Sequence, residues 1–118
     1  MRTSVLRGDV WLINLDPTVG AEIKKIRPAV IVSNDEIGIL PLKVVVPITE
    51  WKERYRIAPW MVYIEPEAHT GLDKLSVGDT FQVRSVAQER FVKKLGRLSD
   101  EVMENIQSAL GIVFNMKV

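Results

Sequence analysis

Two apolar runs on either side of a polar loop constrain this chain more than any other feature. Val10 to Leu15 reads as a strand, and Asp16-Pro17-Thr18 ends it as a turn. Ala29 to Ser33 is the short continuous apolar run expected of a buried strand. Between them lies Gly20-Ala21-Glu22-Ile23-Lys24-Lys25, polar and partly basic, and Arg27 stands directly before Pro28. The residue before a proline is driven towards extended geometry, so Arg27 is expected to be held by the sheet rather than by the loop. A guanidinium held in that way suits bidentate recognition of a phosphate.

Further short strands follow. Lys43 to Thr49 is rich in β-branched residues and gives a third, in which Pro47 cannot donate to a ladder and requires a free edge or a bulge. Asn34-Asp35 with Gly38 forms the loop before it. Trp60 to Glu65 gives a fourth strand, and Glu67 to Leu75 is a loop carrying Gly71. Phe81 to Val86 alternates and reads as a fifth strand, followed by one helical turn near Ala87 to Arg90. Val92 to Leu98, interrupted by Gly96, is the last. One helix is predicted, from Asp100 to Asn115. Ser99 caps it, Asp100, Glu101 and Glu104 suit the positive end of its dipole, and Val102, Met103, Ile106, Ala109, Leu110, Val113 and Phe114 make its core stripe. Many short strands with a terminal helix predict a β-rich fold, a small barrel with the helix packed on it. At 118 residues, the chain is expected to be one domain, residues 1–118.

Composition excludes much chemistry. There is no cysteine, and the one histidine, His69, argues against a zinc site and rules out a histidine-pair ribonuclease. No run approaches the roughly 18 apolar residues of a membrane span, and the start lacks the long apolar stretch of a secretion signal, so a cytoplasmic chain is expected. Gly-rich phosphate loops, nucleophile elbows and His/Asp/Ser arrangements are missing. The net charge of +1 hides its distribution: Lys24, Lys25 and Arg27 form one basic cluster, and Arg84, Arg90, Lys93, Lys94 and Arg97 another against Glu89 alone. Arg, Lys, Thr, Ser and carboxylates remain for chemistry, and RNA cleavage can run on them. The 2′-hydroxyl of RNA is its own nucleophile, so a protein need only align the attack and stabilise the charge on the phosphorane. Arg27 offers charge and paired hydrogen bonds, and Thr49, at a strand end, offers a hydroxyl.

Five blocks carry a resemblance. They are Arg7-Gly8-Asp9-Val10-Trp11, Leu15-Asp16-Pro17-Thr18-Val19-Gly20-Ala21-Glu22, Ile26-Arg27-Pro28-Ala29-Val30-Ile31-Val32, Val46-Pro47-Ile48-Thr49 and Gln82-Val83-Arg84-Ser85-Val86. In this order and spacing, from Arg7 to about Phe114, the chain resembles the MazF/PemK family of toxin ribonucleases. The resemblance implies an SH3-like barrel, a homodimer, and a cognate MazE-like antitoxin as inhibitor. It implies sequence-specific cleavage of single-stranded RNA without metal or other cofactor, leaving a 2′,3′-cyclic phosphate and a 5′-hydroxyl. It assigns catalysis to Arg27 and Thr49, and substrate contacts to Glu22, Ser76 and Gln82. Arg84 adds to that groove, Lys24 and Lys25 add general attraction, and Arg54 and Arg56 extend the phosphate-binding surface. The chain departs from the family at Gly78-Asp79-Thr80-Phe81. Phe81 stands where members often carry an acid, and the Arg and Asp used by the PemK-like branch are replaced at Asp79 and Phe81.

Bland readings compete for several residues. Glu22 also serves to neutralise Lys24 and Lys25, and Asp9 reads equally as a turn residue. His69 is expected to be exposed and structural, although an imidazole titrates near neutrality. Trp11 is expected in the core and Trp60 in packing. Trp51, among Glu50, Lys52, Glu53 and Arg54, is expected in an exposed polar loop, where it would stack a base or anchor a protein partner. The rival function on the same fold is that of the CcdB toxins, which grip DNA gyrase without catalysis. They would need neither the Arg-Pro pair nor Thr49, and their apolar-aromatic end is not closely matched by Asn115-Met116-Lys117-Val118. A third reading is an RNA-binding barrel without turnover.

Overall fold

A computed structural model describes residues 4–37 and 41–116. Gly38, expected in the loop after Asn34-Asp35, lies outside them, as do Lys117 and Val118. The strands are β1 (Asp9–Asn14), β2 (Ile26–Ile31), β3 (Leu42–Glu50), β4 (Met61–Ile64), β5 (Ser76–Asp79), β6 (Arg84–Ala87) and β7 (Phe91–Arg97), and the helix is α1 (Asp100–Val113). All the pairings are antiparallel, in the order β4-β5-β3-β2-β1-β7, with β6 also on β3. The β-rich class with a C-terminal helix is as expected. The sheet does not close on itself: β4 and β7 end the ladder path, and no pairing joins them among the described residues.

Pro47 explains how β3 is built. One flank of β3 pairs with β2, from Val45 opposite Ile31 to Pro47 opposite Ala29. Its other flank takes β6 from Leu42 to Val45 and β5 from Ile48 to Glu50. Pro47 falls in the break between these two partners. It needs no edge strand, because a residue without an N–H is tolerated where no ladder partner waits.

Alternation sorts the sheet into two faces. On one, Val10, Val30, Val46, Ile48, Val62 and Ile64 meet Met103, Ile106 and Ala109 of α1. Full burial of one such aliphatic side chain contributes about 1.5–3 kcal/mol. Ser99 caps α1 through Oγ, which accepts the Val102 N–H at 3.2 Å. On the other face Trp11, Ile13, Leu15, Ala29, Ile31, Val45 and Val86 cluster, and the Phe91 ring meets Trp11 edge-on at 5.6 Å. Asp9 is structural. It is fully buried, accepts the Leu6 N–H at 2.9 Å, and faces Arg97 at 3.0 Å and Lys94 at 3.5 Å.

Two segments differ from the sequence expectation. Ser76 to Asp79, between the expected loop and the expected fifth strand and assigned to neither, is a strand between β3 and β4. Glycine and aspartate are poor strand formers, but Gly78 is enclosed: a Cβ there would touch Val46 at 3.4 Å and Ile64 at 3.7 Å. The expected strand Phe81 to Val86 is divided. Thr80–Gln82 is a single 3-10 turn, and β6 starts at Arg84. Asp79 causes the break, because its carboxylate caps the turn by accepting the Phe81 N–H at 3.1 Å.

Candidate functional site

The site grows from the register of β2 and β3. Their last pair is Ala29 with Pro47, and on the far side Arg27 pairs with Ile13 of β1. The β2–β3 ladder ends at the Ala29–Pro47 pair: Arg27 lies two residues beyond Ala29 on β2, Thr49 lies two residues beyond Pro47 on β3, and Thr49 pairs with Val77 of β5. Arg27, Ala29, Pro47 and Thr49 therefore share one face, the one turned away from α1. Arg27 lies in β2, as its place before Pro28 predicts, and is exposed. Its Nε donates to the Lys24 carbonyl at 3.3 Å.

A groove of about 600 Å³ opens beside this row. Pro17, Ala21, Glu22 and Ile23 form one wall, Pro47 is in its floor, and Phe81, Gln82, Val83 and Arg84 form the other wall. Thr49 is two residues along β3 from Pro47, about 7 Å at strand spacing. The loop wall is clipped in place by side chains. Glu22 Oε1 accepts the Val19 N–H at 2.6 Å, and Asp16 Oδ1 accepts the Lys25 N–H at 3.1 Å. Gln82 joins the walls: its Oε1 accepts the Ile23 N–H at 2.6 Å, and its Nε2 donates to Asp79 Oδ2 at 3.0 Å. Arg84 Nη1 donates to the Leu15 carbonyl at 3.1 Å. Burial pushes the Asp79 carboxyl above its ordinary value, against the hydrogen bonds from Gln82 and the Phe81 N–H.

Glu22, Gln82 and Arg84 are thus brought to one groove, whereas Arg27 and Thr49 lie outside its lining, each two residues along its strand from the Ala29–Pro47 pair. Lys24 and Lys25 are exposed on the loop between the groove wall and Arg27, and Lys25 has a left-handed backbone with φ of 72°. Ser76 is not brought there. It is 6% exposed, it shares the α1 face with Gly78, and its hydroxyl donates to the Lys74 carbonyl at 2.8 Å. Arg54 lies exposed on a separate 3-10 turn with its guanidinium 5.2 Å from the Tyr55 ring, and Arg56 pairs with Glu53. Trp51 is half-buried rather than exposed, because the Tyr63 ring of β4 covers it edge-on at 5.8 Å. His69 is exposed beside Glu67 at 3.2 Å. Among the described residues, no three His, Cys, Asp or Glu side chains gather as a metal site, and no helix is long and apolar enough to cross a membrane.

Sequence reasoning passed over Phe81 as a site residue. It is 68% exposed, it lines the groove, and its ring lies 6.0 Å from that of Trp60. The available signal was an aromatic residue directly before Gln82 in a block already assigned to substrate.

Comparison with known proteins gives the same outline over nearly the whole chain. A family model described as PemK-like, MazF-like toxin of type II toxin-antitoxin system matches residues 6–114. The chain is 33% identical to endoribonuclease MazF9 of Mycobacterium tuberculosis over 110 residues, covering 88% of this chain and 91% of that protein. It is 34% identical to endoribonuclease EndoA of Bacillus subtilis over 110 residues, covering 92% of each. Among solved structures, it resembles an endoribonuclease in complex with its cognate antitoxin from a mycobacterial species. That likeness has a TM-score of 0.77 at 22% identity, over 98% of this chain and 99% of the other. MazF from Deinococcus radiodurans shares the fold with a TM-score of 0.76 at 21% identity, over 93% and 96%.

Proposed function

The chain belongs to the PemK-like, MazF-like toxins of type II toxin-antitoxin systems, and from that membership we propose how its groove cuts RNA. It is an endoribonuclease of the toxin class. The whole chain acts as one toxin domain, in the cytoplasm, on single-stranded RNA and without a metal. It works as a homodimer and is inhibited by a cognate MazE-like antitoxin. Its relatives named endoribonuclease support this reading over the gyrase-binding one.

What supports the mechanism is that strand alternation puts Arg27 and Thr49 on one sheet face, each two residues from the Ala29–Pro47 pair, of which Pro47 lines the groove. The 2′-oxygen attacks its own phosphorus, the bond to the 5′-oxygen breaks, and the products are a 2′,3′-cyclic phosphate and a 5′-hydroxyl. The proton lost from the 2′-hydroxyl is balanced by one gained at the 5′-oxygen. Arg27 lies against the phosphate, where two N–H groups and a fixed positive charge stabilise the phosphorane and shield the leaving oxygen. Thr49 holds the phosphate in line through its hydroxyl. Gln82 keeps one N–H and one lone pair free of its bonds to Asp79 and Ile23, so it can still meet a base edge. Glu22 and Arg84 shape the groove around it.

The test is cleavage of a long single-stranded RNA in EDTA, with mapped ends. Wild type is expected to give discrete cuts with 5′-hydroxyl ends, and Arg27→Ala to lose at least about 100-fold in rate. Because Arg27 is exposed, that variant should unfold at the wild-type temperature. Equal cutting by Arg27→Ala would sink the assignment. Lys24→Ala should flatten the salt dependence of RNA binding by about 0.7 in log–log slope. An unchanged slope would remove Lys24 from the phosphate surface.

A further inference from the structure

We propose that Phe81, backed by Trp60, is a stacking platform for a nucleobase of the RNA strand that lies in the groove. The proposal rests on the ribonuclease reading and adds a substrate contact to it. An exposed phenyl ring is ordinary when it stands alone. Phe81 does not stand alone. It forms the rim of the groove on the same wall as Gln82 and Arg84, and it leans on the partly exposed Trp60 ring at an interplanar angle of 57°.

The ring is fixed from below. Thr80 donates twice to the Trp60 carbonyl, through N at 3.1 Å and through Oγ1 at 2.7 Å. Asp79 accepts the Phe81 N–H on one oxygen and the Gln82 amide on the other. The turn is thereby tied to the segment that carries Trp60, and the backbone that presents Phe81 is already set before RNA arrives. Preorganisation of this kind reduces the entropy lost on binding.

The surroundings select the occupant. A flat apolar face stands beside cations that track a phosphate backbone: Arg84 in the groove, with Lys24, Lys25 and Arg27 along the loop and strand next to it. That combination of an aromatic face and a basic track is how single strands are held without base-edge readout. The turn's N–H groups at Thr80, Phe81 and Val83 are already bonded within the fold, so an extended peptide finds no strand-like partner there. Trp51, the tryptophan that sequence reading offered for this task, is half-buried with one side against the Tyr63 ring and does not line the groove.

The experiment measures binding of a fluorescent 2′-O-methyl RNA, which cannot be cut, by wild type and by Phe81→Ala, Phe81→Leu, Phe81→Tyr and Phe81→Trp over a range of salt. Its sequence is that of a site mapped in the cleavage assay. Phe81→Ala and Phe81→Leu should bind about 10- to 100-fold more weakly, because leucine keeps the bulk but not the π face. Phe81→Tyr and Phe81→Trp should bind within about threefold of wild type, and all four should keep the wild-type salt slope, since no phosphate contact is lost. Wild-type affinity in Phe81→Leu, or a loss that tyrosine does not restore, overturns the platform. So does unaltered RNA binding by Phe81→Ala, which would leave the ring to a protein partner. A wild-type chain that cuts RNA while Phe81→Ala behaves normally defeats the platform alone. A wild-type chain that neither binds nor cuts RNA defeats the ribonuclease reading as well.

Discussion

The groove at Glu22 and Arg84 is clipped together by side chains, whereas a second groove, between Glu67 and the start of α1, is walled by backbone lying on backbone. The second is about 270 Å³ and is lined by Glu65, Glu67, His69 and Glu101 among others. Its wall is the short 3-10 turn Ala68–Thr70, which sits so close to β7 that a Cβ on Gly96 would meet the His69 carbonyl oxygen at 2.4 Å. Gly71 is as confined: its φ is 72°, and a Cβ there would meet the Leu95 carbonyl oxygen at 2.1 Å. In the first groove, the loop from Asp16 to Lys25 is tied by Glu22, Asp16, Gln82 and Arg84, each through one or two hydrogen bonds. A wall of close backbone contact serves stability. A wall of individual clips opens locally at small free energy, as a loop that admits substrate must. The two grooves also differ in charge: the second is lined by three carboxylates, Glu65, Glu67 and Glu101, whereas the first sets Glu22 against Arg84.

The contrast can be broken from either side. The largest effect is expected from Gly96→Ala, which should lose about 2–3 kcal/mol in urea unfolding because no flexible side chain can yield to the new methyl group. Unfolding at the wild-type urea concentration would show that the acidic wall is not rigid. Next comes Gln82→Ala, at about 1 kcal/mol. Its clearer signature is local: hydrogen exchange at the Ile23 amide should quicken while the β1 and β2 amides keep their protection. Uniform acceleration across the sheet would mean that the clip supports the whole fold. The smallest effect is that of pH on Asp79. The folded chain holds this carboxyl proton more tightly than the unfolded chain does, so Asp79 adds stability on acidification. That contribution is withdrawn as pH rises from the ordinary carboxylate value through the raised one. Asp79→Asn should flatten this part of the stability profile, and a parallel profile would assign the dependence to another group.

Much of this was legible in the sequence, for reasons that differ by element. β1, β2, β3 and α1 announce themselves through apolar runs and helical spacing, and the burial of Val10, Ile31, Val46 and Ile106 follows. Arg27 and Thr49 were legible as two residues but not as members of one sheet face, because register is a tertiary property. β5 was obscured by Gly78 and Asp79, whose strand geometry comes from neighbours rather than from propensity. Trp51 was misread because local charge says nothing of Tyr63, which reaches it from another strand. Phe81 was misread because alternation with Val83 mimics a strand, when Asp79 had already bent the chain into a turn. Ser76 was matched by motif alone, and strand parity sends it to the α1 face.

β3 draws its partners from both directions of the chain, β2 before it and β5 and β6 after it. A ribosome delivers these strands in order, so β1, β2 and the middle of β3, Val45 to Pro47, can form a meander early. The rest of β3 must wait for residues that are still inside the exit tunnel. Arg27 emerges with the meander and Thr49 directly after it, but the wall from Phe81 to Arg84 follows only after a further stretch that takes a few seconds to synthesise at about 5–20 residues per second. During that interval the nascent chain holds a guanidinium and a hydroxyl with no cleft to use them in. The order of translation thus delays the groove until β3 has met the last of its neighbours.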